Sequence, residues 1–342
     1  MKRFWIAVAL LAPSAALADK AFVVSPDVPA CRARTPAAIG GPMPPEGILA
    51  IRWLGTTNFE LAYGGEVILL DAYYDRGPRN RPIGFGPKDV KRASAIFVGH
   101  AHFDHMSDAA SVGAQTGAQV IGAPTVTETA VALGLPAKQA TTVRGGEVLK
   151  YKGFTAEAIL ARHSTLAPEV LDAFRKAIAA AAGAPTGEEA AAEAAIMKRG
   201  TFDPKVITEG TIAYLFTFDS GFRLIFRNSA GPITDAEREA LKRIGGKTDV
   251  AIVGYIGQYV AARQIAATLP IIQLYNPRLY LPAHHDEIAG TFVDIGLEPL
   301  FMAIEERLPR RASCRRCTAS RCAWTCASDA HEAPASAVSG LI

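Results

Sequence analysis

The chain has 342 residues, 49% of them hydrophobic and 20% charged, with a formal net charge of +3. Such a balance suits a globular protein of one large domain or two small ones, and excludes fibrous and low-complexity classes. The charge is too small for a nucleic-acid footprint, and two of the positives, Lys2 and Arg3, fall in an N-terminal leader.

That leader is residues 1–18. Lys2 and Arg3 precede an apolar stretch at 4–11, and Ala16-Leu17-Ala18 makes a small-residue cleavage site before Asp19. The order is that of a secretory signal peptide, and the apolar part is too short to span a bilayer. The expectation is a mature chain from near Asp19, periplasmic or secreted, with no integral membrane segment. Residues 19–46 hold Pro26, Pro29, Pro36, Pro42, Pro44 and Pro45, and read as an extended lead-in.

The main body is expected at 47–308. It opens with strands at 48–54, 58–63 and 66–70; Gly64-Gly65 makes the hairpin turn and Asp71 ends the third strand. A Pro/Gly-rich loop at 75–88 leads to a strand at 95–98. Patterns then alternate: helix 107–117, strand 118–122, helix 125–133 stopped by Gly134 and Pro136, and strands 140–143, 147–151 and 155–160. The insertion at 166–200 is alanine-rich and predicts helices at 168–182 and 187–198. Leu171, Phe174 and Ile178 recur there at helical spacing, as in an amphipathic pair docked on the body. Because the insertion leaves the chain directly after His163, the same pair is placed to cap a site. A hairpin at 211–218 and 222–227 follows, then helix 235–244, strand 249–253, helix 258–269 and strand 279–281. This is an α/β (α+β) pattern. Beyond it, the Cys/Arg-rich tail at 309–342 has no hydrophobic period and is expected to be poorly ordered. Cys314, Cys317, Cys322 and Cys326 admit three disulfide pairings among themselves or a zinc knuckle, with Cys31 left over.

Histidine use is uneven. Six of the seven fall at positions 100, 102, 105, 163, 284 and 285, and the seventh is His331. The run Gly99-His100-Ala101-His102-Phe103-Asp104-His105 follows an apolar strand and packs three imidazoles and a carboxylate into six residues. In such a loop His100 and His102 turn to one side and clasp one ion, while Asp104 and His105 are free for a second. Imidazole and carboxylate donors suit zinc, iron or manganese, and nitrogen-rich sets favour zinc. Other motifs are weak: Gly145-Gly146 lacks the lysine of a phosphate loop, and Ser164 and Ser220 lack a nucleophile elbow.

With these motifs the chain resembles the metallo-β-lactamase-fold superfamily of hydrolases over residues 48–307. His100-x-His102-x-Asp104-His105 carries the resemblance most strongly. Trp53-Leu54-Gly55, Ile68-Leu69-Leu70-Asp71, Ala161-Arg162-His163 and Pro282-Ala283-His284-His285-Asp286 are similar to its further motifs in order. The resemblance implies a four-layer αββα sandwich with a helical insertion. It also implies a first metal site of His100, His102 and His163, and a second of Asp104, His105 and His284. Asp71 takes the place of a carboxylate behind these ligands. His284 is preferred to His285 because it stands two residues after Pro282; His285 then lines the site.

One departure matters. The resemblance implies a metal-bridging Asp after the second hairpin, where this chain reads Phe226-Arg227-Asn228-Ser229-Ala230-Gly231, with Ser229 in the Asp place. Asp219, the nearest carboxylate, is at the far end of a strand, about 20 Å away at ~3.3 Å per residue. One tight zinc ion and a second that is weak or absent are therefore expected, with iron or manganese as alternatives. The implied function is an exported metal-dependent hydrolase acting with zinc-activated water on an ester, lactone or phosphodiester of a small molecule. Asp104 would orient the nucleophile if it does not hold a metal, and His285 or Tyr255 would donate a proton or hydrogen bond. The alternative is a catalytically degenerate metal- or ligand-binding protein of the same fold, motivated by Ser229 and opposed by the otherwise complete donor set.

Overall fold

The computed structural model describes residues 23–24, 35–165, 168–255, 261–286, 296–308, 312–313 and 325–328. The leader, His331, Cys31, Cys314, Cys317 and Cys322 lie outside the described residues, as do the side chains of Leu171, Phe174 and Ile178.

Two sheets stack face to face. The first runs β1 (Val23–Val24), β15 (Thr325–Ser328), β2 (Ile48–Gly55), β3 (Asn58–Tyr63), β4 (Glu66–Leu70), β5 (Ala95–Phe97), β6 (Gln119–Gly122), β7 (Ala140–Thr142). The second runs β14 (Ala312–Ser313), β13 (Pro277–Ala283), β12 (Thr248–Gly254), β11 (Arg223–Arg227), β10 (Thr211–Phe218), β9 (Phe154–Ala161), β8 (Val148–Tyr151). Helices α1 (Phe103–Met106), α2 (Ala109–Thr116) and α3 (Pro124–Ala132) follow the strands of the first sheet. Helices α4 (Pro168–Ala182), α5 (Gly187–Met197) and α6 (Lys205–Glu209) form the insertion, and α7 (Asp235–Arg243), α8 (Ala261–Tyr275) and α9 (Glu298–Arg307) belong with the second sheet.

Side-chain alternation makes the layers. In β4, Val67 and Leu69 join the core under α2 and α3, while Ile68 and Leu70 join the core between the sheets. In β12, Val250 and Ile252 face that inter-sheet core, and Ala251 and Val253 pack under α8 and α9. Both faces are covered, so these strands are apolar throughout instead of alternating with polar residues. The result is an αββα sandwich, the metallo-β-lactamase fold. At its first hairpin Tyr63 pairs with Glu66, and Gly64 and Gly65 take φ of 57° and 90°. Two left-handed residues in a two-residue loop make the turn whose twist suits a hairpin.

Two helices differ from the sequence expectation. The one expected at 107–117 begins only at Ala109, as α2, and is preceded by the separate short helix α1 within the histidine loop. That carboxylate accepts from the backbone N–H groups of Tyr74 (2.7 Å) and Asp75 (2.8 Å), and the Asp108 N–H donates to Ala72 O. Asp108 is spent on tethering the loop after β4, and the helix begins only after it. The helix expected to end near 269 continues to Tyr275 through Pro270. Strands at 312–313 and 325–328 and helix α9 were not read from the sequence.

The insertion is fastened to the body near its tip and at its base. Glu193 of α5 accepts from Arg79 Nε (2.6 Å) and Nη2 (2.8 Å), and Arg199 Nη2 donates to Asp75 Oδ2 at 2.8 Å. Just beyond, Thr201 N donates to Ala101 O at 2.8 Å, which brings the end of the insertion against the histidine loop.

Candidate metal centre

Strand direction decides where the chemistry collects. Strands β4 and β5 are parallel, as are β11, β12 and β13, and β9 points the same way as β11 because each is antiparallel to β10. Asp71 follows β4, the histidine loop follows β5, His163 follows β9, Asn228 follows β11 and His284 follows β13. All leave the carboxyl ends of their strands, where α/β sheets form crevices. Asp71 and His284 both take left-handed φ (55° and 65°), as does Thr56 (50°). His284 N donates to Thr56 O at 2.8 Å, so two strained residues hold each other. A Cβ on Gly99 would stand 2.3 Å from the Asn228 side chain; only glycine lets the two loops meet.

The six expected donor residues come together as two adjacent triads. In the first, His100 Nε2 lies 3.1 Å from His102 Nδ1 and 3.2 Å from His163 Nε2. In the second, Asp104 Oδ2 lies 3.1 Å from His105 Nε2 and 3.0 Å from His284 Nε2. The rings of His100 and His105 are 4.1 Å apart, so the triads are neighbours.

The protein fixes which ring nitrogens face inward. His100 Nδ1 lies 3.1 Å from Asn228 Oδ1, His105 Nδ1 lies 2.7 Å from Asp71 Oδ2, and His163 Nδ1 meets the Ser164 carbonyl. Each of these nitrogens has an acceptor, so the network assigns a proton to each Nδ1 and turns Nε2 inward, with the lone pair free on His100 and His163. Burial pushes His100 well down and His102 and His163 to about 4, so these rings are neutral donors at neutral pH. For His105 burial opposes the charge, but Asp104 and Asp71 outweigh it and raise it to about 10. Burial likewise opposes ionisation of Asp104, and His105 and His284 outweigh it, holding the carboxyl well below its usual range.

These donors fit a metal ion. Zinc–nitrogen bonds of about 2.0–2.1 Å in a tetrahedron place neighbouring donors roughly 3.3–3.4 Å apart. Separations of 3.1 and 3.2 Å between these nitrogens come close to that edge.

Asp71 is the organising carboxylate behind the triads. It accepts from Thr57 Oγ1 (2.5 Å), Gly99 N (2.9 Å) and Asn228 Nδ2 (2.9 Å) as well as His105. Asp71→Asn is expected to weaken metal binding about 10–100-fold, the usual effect of losing such a partner. Chelator competition on the folded variant checks this, and an unchanged affinity would contradict it.

Ser229 does not face the triads. Its Oγ accepts from Ser164 N at 2.9 Å and donates to Ser164 Oγ at 3.2 Å. The neutral side chain that does reach the centre from this loop is Asn228, which sequence reasoning did not select. His285 is buried and stacks on Trp53, with ring centroids 4.7 Å apart. Its neighbour Asp286 accepts from Thr56 N (2.7 Å) and Arg76 Nη1 (2.8 Å). Tyr255 is buried in the core under α8 and α9. Phe202, largely exposed, lies 5.1 Å from the His102 ring and forms one lip of the centre. Neither it nor the Thr57, Trp53 and Arg76 contacts carried a local sequence signal.

No family model matches the chain. A UPF0173 metal-dependent hydrolase of Myxococcus xanthus (strain DK1622) is 30% identical over 247 residues, 72% of this chain and 72% of that protein. Another, from Cupriavidus necator, is 25% identical over 273 residues, 77% of this chain and 83% of that protein. Among solved structures, Igni18, a metallo hydrolase from the hyperthermophilic archaeon Ignicoccus hospitalis, has a TM-score of 0.52 at 16% identity and covers 78% of this chain and 94% of its own. That likeness is one of fold.

Proposed function

The chain belongs to the UPF0173 metal-dependent hydrolases, and from that premise we propose an exported enzyme that cleaves an ester, lactone or phosphodiester bond of a small molecule at a zinc centre. The observation that supports this reading is the pair of adjacent triads, with inward-facing nitrogens set by Asn228, Asp71 and the Ser164 carbonyl.

His100, His102 and His163 would hold a first ion, and Asp104, His105 and His284 a second. When bound, zinc acidifies its water to a pKa of about 7 and polarises a carbonyl or phosphoryl oxygen. The residues divide the remaining work. Where no second ion is held, Asp104 Oδ2, set by His105 and His284, would be the anionic oxygen that orients a water at the neighbouring first triad. His285, fixed by Trp53 and by the anchored Asp286, is the nearby ring able to hydrogen-bond substrate. Phe202 and Phe103, 5.8 Å apart, give the mouth an apolar side. Asn228, the side chain that reaches the centre from this loop, is neutral and supplies no bridging carboxylate to the second ion, so the first triad carries the tight site. Export rests on the leader at 1–18, and N-terminal sequencing of the secreted protein tests it. No helix among the described residues is long and apolar enough to cross a membrane.

The degenerate reading rests on the missing bridging carboxylate alone, and the six convergent donors argue for the enzyme. The deciding experiment is a panel of esters, lactones and phosphodiesters with the metal stripped and restored. The expected result is turnover of at least one class, abolished by chelator and recovered with zinc. Absence of turnover across the panel with zinc bound would favour the degenerate reading.

A further inference from the structure

Beside the metal centre is a second concavity that the reading above leaves unused. A cavity of about 430 Å³ opens between the loops after β9 and β11 and the helices α7 and α8. Its near wall is Ser164, one residue, or about 3.8 Å of chain, beyond His163. Ser229 forms the seam through its two bonds to Ser164. Gly231 closes it: a Cβ there would lie 2.2 Å from Arg162 O and 2.4 Å from His163 O, so the loop lies flush on the backbone that carries His163.

The charge of this cavity is one-sided. Arg238 of α7 and Arg263 of α8 line it with the hydroxyls of Ser164 and Thr165 and the buried Gln264, and no carboxylate is among the lining residues. Neither guanidinium is ion-paired with a carboxylate among the described residues, whereas Arg52, Arg76, Arg79, Arg199 and Arg227 each are. Two guanidinium forks with no carboxylate partner among the described residues, beside hydroxyl donors, match the oxygens of a planar or tetrahedral anion. Ser229 is in keeping with this: a carboxylate at the seam would repel such an anion, and a hydroxyl does not.

We propose that this cavity is a subsite for an anionic group, a carboxylate or a phosphate, carried by the substrate whose bond is cleaved at the adjacent metal centre. The inference rests on the hydrolase reading and narrows its substrate class to anionic esters or phosphodiesters.

The test uses zinc-loaded full-length protein and the R238Q/R263Q double variant. Three 4-nitrophenyl esters are compared: acetate, hemisuccinate and phosphonoacetate, which differ in the charged group. Wild type is expected to prefer one anionic ester over the acetate at least tenfold in kcat/KM. The double variant is expected to lose that preference, mainly through KM. In parallel, succinate and inorganic phosphate are titrated calorimetrically into both proteins. Binding by the metal is common to the two, so their difference reports the arginines, and a tenfold or greater weakening is expected. A preference for hemisuccinate with succinate binding identifies a carboxylate, and phosphonoacetate with phosphate identifies a phosphate. Equal preference and equal anion affinity in the two proteins would overturn the proposal. If no ester is hydrolysed but anion binding still depends on the arginines, the hydrolase reading fails and the anion site stands.

Discussion

Replacing His100 with alanine is expected to leave the folded protein without its tight metal ion and to lower kcat/KM by roughly 10³-fold or more, about 4 kcal/mol of transition-state stabilisation. His100 is the shared member of the first triad, 3.1 Å from His102 Nδ1 and 3.2 Å from His163 Nε2. Those two nitrogens remain after the substitution, but two neutral imidazoles do not make a closed zinc site. The loss also reaches behind the triad. Asn228 Oδ1 accepts from His100 Nδ1, and deleting the ring leaves that buried oxygen without its partner, a penalty of about 1–3 kcal/mol in stability. The measurement is metal content and kcat/KM on the same sample, with circular dichroism to establish folding. Full metal content with wild-type activity would remove His100 from the centre.

The second large effect is structural. Glu237→Ala is expected to destabilise the fold by about 3–5 kcal/mol, because it strands a buried cation. Glu237 and Arg227 are both fully buried and form an ion pair at 3.3 Å. The same carboxylate accepts from Tyr275 OH at 2.5 Å and, through Oε2, from Thr234 N at 2.9 Å, capping α7. Arg227 Nη2 in turn donates to Gly231 O (2.9 Å), Pro232 O (3.0 Å) and Arg162 O (3.3 Å). One buried pair thus joins the end of β11, the start of α7 and the backbone next to His163. Urea denaturation reads the effect as a lower midpoint at unchanged slope. Glu237→Gln keeps the side-chain volume and one acceptor oxygen for Tyr275 or Thr234, and is expected to lose less. A loss below about 1 kcal/mol for the alanine variant would mean that Arg227 finds water instead, as an exposed pair would.

How much of this was legible in the sequence follows from the range of each interaction. Strands β4 and β10 announce themselves because both faces are buried and their residues are largely apolar. The histidine loop is legible because four donors sit within six residues. His163 and His284 lie far from it in sequence, and were found only through resemblance to a family pattern. Asn228 escaped notice because its partners, Asp71, His100 and His105, come from the other sheet, and no local period encodes a contact made only when two sheets meet. The same holds for Trp53 on His285 and for Arg76 on Asp286. The later start of α2 was hidden for a related reason: Asp108 reads as an ordinary helix residue until the loop after β4 claims its carboxylate. Arg227 reads as a strand-end cation, and only the fold shows that it is buried.

Metal content per chain, measured by plasma mass spectrometry on protein purified without added metal, tests the central claim most directly. The account predicts one tightly held zinc ion in wild type, carried by the triad of His100, His102 and His163, and none in His100→Ala. A wild-type protein that holds no metal even after zinc is offered would contradict it.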